Sequence, residues 1–263
     1  MKTDAYFEAF SSLYGEYDTL SRDNFIDRSR RRIIYNHVGK YLQPNSKVLE
    51  LNSGSGIDAV YFAKKGHRVL ATDISQASAK YIHAKSAEFH PDNLRFAQCS
   101  FTDLKIPSGE TFDYIFSNFG GLNCTGELNP IFAQFVNLSE LRGHITLVLM
   151  PKIYPWEILS ILTGSKNAFR RFKRDQSAMV GGTKIPVFYH SPAEVKSAFP
   201  KNFRHISTQN IGTFYPSAHF ASVQRYEKAI QALVKIDEIV NNWWIMPKGF
   251  GDYYIVTFQK ISE

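Results

Sequence analysis

Between residues 45 and 150 the chain alternates short apolar runs with helical patterns, and this rhythm narrows the fold more than any other feature. Lys47–Leu51 (KVLEL), Arg68–Asp73 (RVLATD), Leu94–Gln98, Phe112–Asn118 (FDYIFSN) and His144–Met150 have the length and apolar content of strands. Between them, Ile57–Lys65, Ala77–Phe89 and Pro130–Leu141 read as helices, stopped by Gly66, Pro91 and Arg142-Gly143. Strands this apolar must be covered on both faces. The alternation therefore predicts a parallel sheet with helices on either side.

The flanks are less regular. Residues 1–20 carry Tyr6, Phe7, Phe10, Leu13, Tyr14 and Tyr17 at helix-like spacing. A second helix is predicted from about Asp23 to Tyr41, with Ile26, Ile33, Ile34, Val38 and Leu42 inward and Arg28, Arg30, Arg31 and Arg32 on a solvated face. Pro151–Val187 reads as irregular and aromatic. Ser191-Pro192-Ala193-Glu194 has the form of a capping box, which starts a helix to about Phe199. Phe203–Ile211 is a sixth strand, Ser222–Asn242 a long helix and Asp252–Gln259 a last strand. About 40 residues separate the last two strands, so no tight hairpin joins them.

Charge and cysteine content exclude several classes. The net charge is +7. Nine positives sit in two clusters, Arg28 with Arg30–Arg32, and Lys166, Arg170, Arg171, Lys173 and Arg174. Without those nine the remainder carries −2, so the body of the protein is not basic and a nucleic-acid partner is disfavoured. The only cysteines, Cys99 and Cys124, form no disulfide framework and no zinc spacing. The longest apolar run, Ile145–Met150, is too short to span a bilayer, and the N-terminus lacks a signal-type apolar run. These features predict a cytoplasmic protein without a membrane partner.

The chemistry is concentrated in residues 48–75, VLELNSGSGIDAVYFAKKGHRVLATDIS. Gly54 and Gly56 allow close approach of backbone to a ligand, and the helix that follows offers free N–H groups. Glu50 sits at the carboxyl end of the first strand, and Asp73 ends the second, where a carboxylate can hold both hydroxyls of a ribose. Gly54-Ser55-Gly56-Ile57-Asp58-Ala59 also fits a dinucleotide fingerprint. Glu50 opposes that reading, because it would face a pyrophosphate unfavourably but suits an ammonium group.

The same residues resemble the class I S-adenosylmethionine-dependent methyltransferases. Glu50-Leu51-Asn52-Ser53-Gly54-Ser55-Gly56 stands where that family has acidic-x-Gly-x-Gly-x-Gly, with Asn52 in place of the first glycine. Asn tolerates a left-handed backbone better than other non-glycine residues, so the turn survives. The likeness extends through Asp73, FDYIFSN and LRGHITLVLM, roughly residues 45–150. It implies an α/β, Rossmann-like, seven-stranded, mostly parallel sheet with the last strand antiparallel, helices on both faces and helical cap insertions. One domain, 1–263, then divides into an N-terminal helical cap (1–45), a cofactor-binding core (46–150), an insertion or lid (151–188) and a C-terminal sheet half (189–263) with a helical insertion (214–250).

The resemblance also implies roles. Glu50 would polarise the methionine end of S-adenosylmethionine, Asn52, Gly54 and Gly56 would form the turn beneath it, and Asp73 would hold the ribose with Ile74 packed on the adenine. Two registers are open for the adenine contact, Ser100 with Phe101 beside it, or Asp103. Asn118 and Phe119 would face the methyl group and acceptor. Tyr17, or Arg31 or Arg32, could reach the cofactor carboxylate; core packing and a solvated face are their competing readings.

Tyr154, Trp156, Tyr215 and Trp243, with Trp244, could roof an acceptor pocket or form a dimer contact. His190 is the candidate general base, with a hydrogen-bonded structural role as the competing reading; His219 is a weaker one. Nothing marks Cys124 as a nucleophile. The resulting expectation is direct methyl transfer to O or N of a small, partly apolar acceptor, without a metal, by a monomer or homodimer. A non-catalytic cofactor-binding or scaffold module and an NAD-dependent oxidoreductase are the alternatives.

Overall fold

The computed structural model describes residues 9–86, 93–163, 169–172, 176–218, 226–241 and 246–263. Helices α1 (Tyr14–Asp23) and α2 (Phe25–Val38) precede the sheet. Strands β1 (Lys47–Leu51), β2 (Arg68–Asp73), β3 (Leu94–Gln98), β4 (Phe112–Ser117) and β5 (Ser139–Leu149) alternate with α3 (Ile57–Lys64), α4 (Gln76–Ser86) and α5 (Asn129–Leu138). After β5 come α6 (Pro155–Leu159), a hairpin of β6 (Ser177–Val180) and β7 (Thr183–Pro186), α7 (Pro192–Ala198), β8 (Phe203–Ile211), α8 (Glu227–Val240) and β9 (Tyr253–Lys260).

Seven strands form one sheet in the order β3-β2-β1-β4-β5-β9-β8. Pairing from β3 through β5 is parallel, and β9 runs antiparallel to both β5 and β8. The predicted Rossmann-like sheet with its antiparallel last strand is thus the observed one. Chain order reverses at the β1–β4 neighbours: β2 and β3 continue to one side, β4 and β5 to the other. A crevice opens outside the carboxyl ends of strands at such a point. It brings the loop after β1, residues 52–56, beside Asn118-Phe119 after β4.

Two cores lie on the two faces. One joins Ile33, Ile34 and Val38 of α2, Phe62 of α3, and Ile230 and Val234 of α8. The other joins Phe132 and Phe135 of α5, Val195 of α7, and Phe203 and Phe258 of the sheet. Asn24 starts α2 by accepting the N–H groups of Ile26 and Asp27. The capping box expected at Ser191 and Glu194 is present and starts α7.

Three expectations change. Helix α5 ends at Leu138, and β5 begins at Ser139, so Arg142-Gly143 is an irregularity inside a strand rather than a turn before one. Arg142 takes φ 69 there, and a side chain on Gly143 would strike the Glu140 carbonyl at 2.7 Å. The segment 151–187 also contains a hairpin, turned by Gly181 and Gly182 at φ 52 and 78. Finally, the basic clusters are not simply solvated. Arg30 and Arg171 are buried on Asp252, and Arg31 is mostly buried on Asp27 and Asp58, because carboxylates from distant segments neutralise them. Tyr6, Phe7, Lys166, Lys173, Arg174, His219, Trp243 and Trp244 lie outside the described residues.

His37 ties α2 to the sheet. Its Nδ1 meets Gln209 Oε1 at 3.0 Å and its Nε2 meets Thr257 Oγ1 at 2.9 Å. Burial lowers its pKa to about 4. A histidine depressed on folding contributes stability that is complete above its unfolded value and is lost as pH falls toward the folded one. Between pH 6.5 and 4 the wild type should lose up to roughly 3 kcal/mol through this group. His37→Gln should flatten that part of the stability–pH curve in urea unfolding; equal slopes in both proteins would remove His37 as the cause.

Candidate functional site

The crevice is built around the turn between β1 and α3. Gly56 has φ 79 and precedes the first turn of α3. A Cβ there would lie 2.5 Å from Ile82 Cγ1, so α4 packs directly against the turn only because residue 56 is glycine. The Gly54 amide donates to Asp73 Oδ2 at 2.9 Å, and the Ser75 amide to Asp73 Oδ1 at 2.9 Å. Two backbone amides thus orient the carboxylate at the end of β2. Its pKa is raised, chiefly by burial, against the pull of those amides.

Asn52 takes φ 55, the left-handed conformation expected for it. Its Nδ2 donates to Ser117 Oγ at 3.0 Å, which ties the turn to β4. The side chain needs space that a glycine would not. Gly121 supplies it: a Cβ on Gly121 would approach Asn52 Cγ to 2.7 Å. The glycine missing at 52 is therefore matched by one at 121, a pairing across 69 positions that no local motif encodes.

Glu50 lies on β1 between Ala71 and Phe116 and is 2% exposed. Its Oε2 has no hydrogen-bond partner among the described residues. Burial holds its pKa well above the ordinary carboxylate range, the charge of Asp58 adds to this, and Arg31 opposes it. Asp58, on the first turn of α3, is the residue that sequence reasoning missed. It is buried and accepts from Arg31 Nη1 at 2.7 Å, from Asn118 Nδ2 at 2.9 Å and from the Tyr35 hydroxyl. Arg31 also donates to Asp27 at 3.1 Å, and its guanidinium lies 4.5 Å from the Phe119 ring centroid. Phe119 takes φ 46, an uncommon conformation for a bulky side chain.

The remaining expected residues are distributed as follows. Tyr17 is half-buried near Cys124, and its neighbour one helical turn earlier, Tyr14, is the one at Asp73, 3.4 Å from Oδ1. Arg32 pairs with Glu238 on the surface. Ile74 and Phe101 are half-buried; Ser100 Oγ bonds Thr102 at 2.7 Å, while Asp103 is exposed near Lys105. His190 Nε2 donates to the Thr125 carbonyl oxygen at 2.8 Å, which makes Nε2 the protonated nitrogen, and burial lowers its pKa. Trp156 is half-buried, and Tyr154 and Tyr215 are buried. Among the described residues no cluster of His, Cys, Asp and Glu has metal-ligand form, and no helix is long and apolar enough to cross a membrane.

Glu50, Asp58 and Asp73 thus face one crevice with Arg31 as the nearby cation, an arrangement suited to a cationic ligand. Residues 48–140 match a family model described as a methyltransferase domain. A comparison with curated proteins by sequence finds no match. Among solved structures, the Burkholderia thailandensis 1,6-didemethyltoxoflavin-N1-methyltransferase, bound to 1,6-didemethyltoxoflavin and S-adenosylhomocysteine, is 16% identical with a TM-score of 0.58, covering 99% of this chain and 89% of that one. Coclaurine N-methyltransferase bound to N-methylheliamine and S-adenosylhomocysteine is 13% identical, TM-score 0.54, covering 89% and 71%. The [4+2]-cyclase SpnF is 13% identical, TM-score 0.56, covering 88% and 80%.

The Asn52–Gly121 pairing is testable. Gly121→Ala should lower stability by about 1–3 kcal/mol, the usual scale of overpacking. Asn52→Gly in the same chain should return most of that loss. Additive effects in denaturant unfolding would show that the two positions do not share the space.

Proposed function

We propose that this chain, which carries a methyltransferase domain in the class I S-adenosylmethionine-dependent methyltransferase fold, moves a methyl group to a small, partly apolar acceptor. The observation that carries this reading is the buried Glu50 carboxyl, with an unmatched oxygen, at the crevice beside the glycine turn. An ammonium is the natural partner for such a group, whereas a pyrophosphate would add negative charge to it. That argument places the NAD-dependent reading second.

When bound, S-adenosylmethionine supplies a methyl group already activated on a sulfonium. The residues then bind, orient and exclude water. Glu50 would hold the amino group, Gly54 and Gly56 with Asn52 would line the turn beneath, and Asp73 would hold the ribose with Ile74 against the adenine. Ser100 and Phe101 are favoured over Asp103 for the adenine, because Asp103 stands in solvent. Asn118 and Phe119 would form the wall on the methyl side. Asp58 keeps Asn118 in place and holds Arg31 against Phe119. In-line transfer needs alignment and a dry site more than it needs a base.

A small acceptor is supported by the inward position of Tyr154 and Tyr215, with Trp156 at the margin. The two methyltransferase neighbours, crystallised with small molecules, point the same way. The buried ion pairs of Arg30, Arg31 and Arg171 remove much of the apparent basic surface, which disfavours a nucleic-acid partner. The Thr125 bond of His190 favours its structural role over that of a base.

Calorimetry with S-adenosylhomocysteine and with NAD separates the two cofactor readings. Micromolar binding of S-adenosylhomocysteine is expected; NAD binding alone would overturn the proposal. Asp73→Ala should weaken S-adenosylhomocysteine by roughly 1–3 kcal/mol, the scale of lost charged hydrogen bonds; unchanged affinity would remove Asp73 from the ribose. His190→Ala should keep turnover within about tenfold, since loss of a general base costs about 100- to 10,000-fold. A fall of that larger size, with cofactor affinity intact, would restore His190 as the base.

A further inference from the structure

The segment between β5 and β6 buries charge on its inner side and exposes apolar side chains on its outer side. Inside, Glu157 of α6 accepts from Arg171 Nε at 2.9 Å; Arg171 belongs to a short 3-10 turn, Arg170–Phe172. Arg171 also donates to the Pro151 carbonyl at 2.9 Å and to Asp252 Oδ1 at 2.8 Å. The rings of Tyr154 and Tyr189 stand beside its guanidinium, with centroids 4.9 and 5.0 Å away. These contacts fasten α6 and the 3-10 turn to the edge of the sheet where β5 ends and β9 begins.

Outside, Leu162 is 82% exposed, and Leu159, Ile161, Phe169 and Phe172 are each 50–55% exposed. Single exposed apolar side chains are ordinary on a protein surface, but five within fourteen residues are not. The Glu157–Arg171 pair joins the turn that carries Leu159, Ile161 and Leu162 to the one that carries Phe169 and Phe172, whose ring centroids are 6.4 Å apart.

The sequence sets positive charge beside this face. Lys166, Arg170, Lys173 and Arg174 stand in the same stretch against one acid, Asp175, while Arg171 is buried on Glu157 and Asp252. Chain connectivity alone keeps each of the four within about 11 Å of Phe169 or Phe172. Apolar side chains that enter the acyl boundary and cations that stay at the headgroups are two signals that together hold a protein on an anionic bilayer, where one alone binds only marginally. A second copy of this chain is a poorer occupant, because a two-fold contact would bring these cations against their own copies. The length criterion that excludes a spanning helix does not bear on a segment lying in the surface.

We propose that the face formed by Leu159, Ile161, Leu162, Phe169 and Phe172 docks onto an anionic lipid surface, with the cations of the same stretch at the lipid phosphates. Strand β5 leaves the sheet at the same edge as β1 and β4, so docking here turns the crevice edge toward the bilayer. The proposal stands apart from the methyltransferase reading, because its test measures lipid binding and not turnover.

The full-length protein is sedimented with vesicles of phosphatidylcholine alone and with vesicles of an equal mixture of phosphatidylcholine and phosphatidylglycerol. Binding to the anionic vesicles should be at least about tenfold stronger, and it should fall about tenfold or more as salt rises from roughly 0.05 to 0.5 M. Leu162→Ser with Phe169→Ser, which changes exposed side chains and leaves the core intact, should weaken that binding by about tenfold or more. Lys173→Gln with Arg174→Gln should do the same. Lys228→Gln with Lys235→Gln removes equal charge from exposed positions on α8 and should change binding by about threefold or less. Equal binding to both vesicle types, binding to neither, full retention in the apolar or the charge variant, or an equal loss in the α8 variant would each overturn the proposal. So would a dimer in analytical ultracentrifugation that Leu162→Ser with Phe169→Ser converts to monomer, since a second copy would then occupy the face.

Discussion

The buried carboxylate of Asp58 is the interaction on which the site depends. It sits on the first turn of α3 and accepts from three donors on two elements: Arg31 and Tyr35 of α2, and Asn118 at the end of β4. A carboxylate has about four lone-pair positions, so these donors use most of its capacity. Without it, Arg31 would keep only Asp27 within its helix, and Asn118 would lose the bond that aims its amide at α3. The Asn52–Ser117 and Ser55–Asp18 bonds would still tie the turn to β4 and to α1, but α2 would lose these hydrogen bonds to α3. Packing sets distance but tolerates rotation, whereas a three-way charge-assisted network sets direction.

The same network explains where the basic charge goes. Arg30 and Arg31 are neighbours on α2, yet they serve two different places. Arg31 turns toward Asp58 and Phe119, Arg30 toward Asp252 and Tyr253. Successive residues on a helix point about 100° apart, so one turn of α2 can supply a cation to each side of Phe119. Arg171 adds a second cation to Asp252 from a segment 140 positions away from Arg31. Buried pairs of this kind add little net stability, because desolvation offsets attraction. They are costly to break one partner at a time, and so they hold the geometry around the crevice.

Much of the fold was legible because its signals are local. Although the helix read to Leu141 ends at Leu138, strands β1 and β2, the stop of α3 before Gly66 and the Ser191–Glu194 capping box depend on neighbours within a few residues and form where expected. So does the turn, since the left-handed φ of Asn52 follows from its own chemistry. What stayed hidden depends on distant partners. A run of arginines reads as a solvated face until Asp58 and Asp252 are known to lie opposite it. Tyr14 and Tyr17 are equivalent by periodicity; only the path of α1 across the sheet edge puts Tyr14 at Asp73. The β6–β7 hairpin did have a local sign, Gly181-Gly182 between two four-residue runs, that the aromatic irregularity around it obscured.

This division between local and distant encoding also separates the two halves of the site. The residues proposed to hold the cofactor lie mostly within 48–75, in a turn tied to β4, and the fold is shared with structures 13–16% identical. The half behind Phe119 is assembled from α2, the segment after β5, the segment after β8 and the start of β9, which meet only in the folded state. A fold organised in this way accommodates reactions as different as N-methylation and the [4+2] cyclisation named for one neighbour. On the proposed reading, specificity is to be sought in the segments outside 48–75, which the methyltransferase motif does not prescribe.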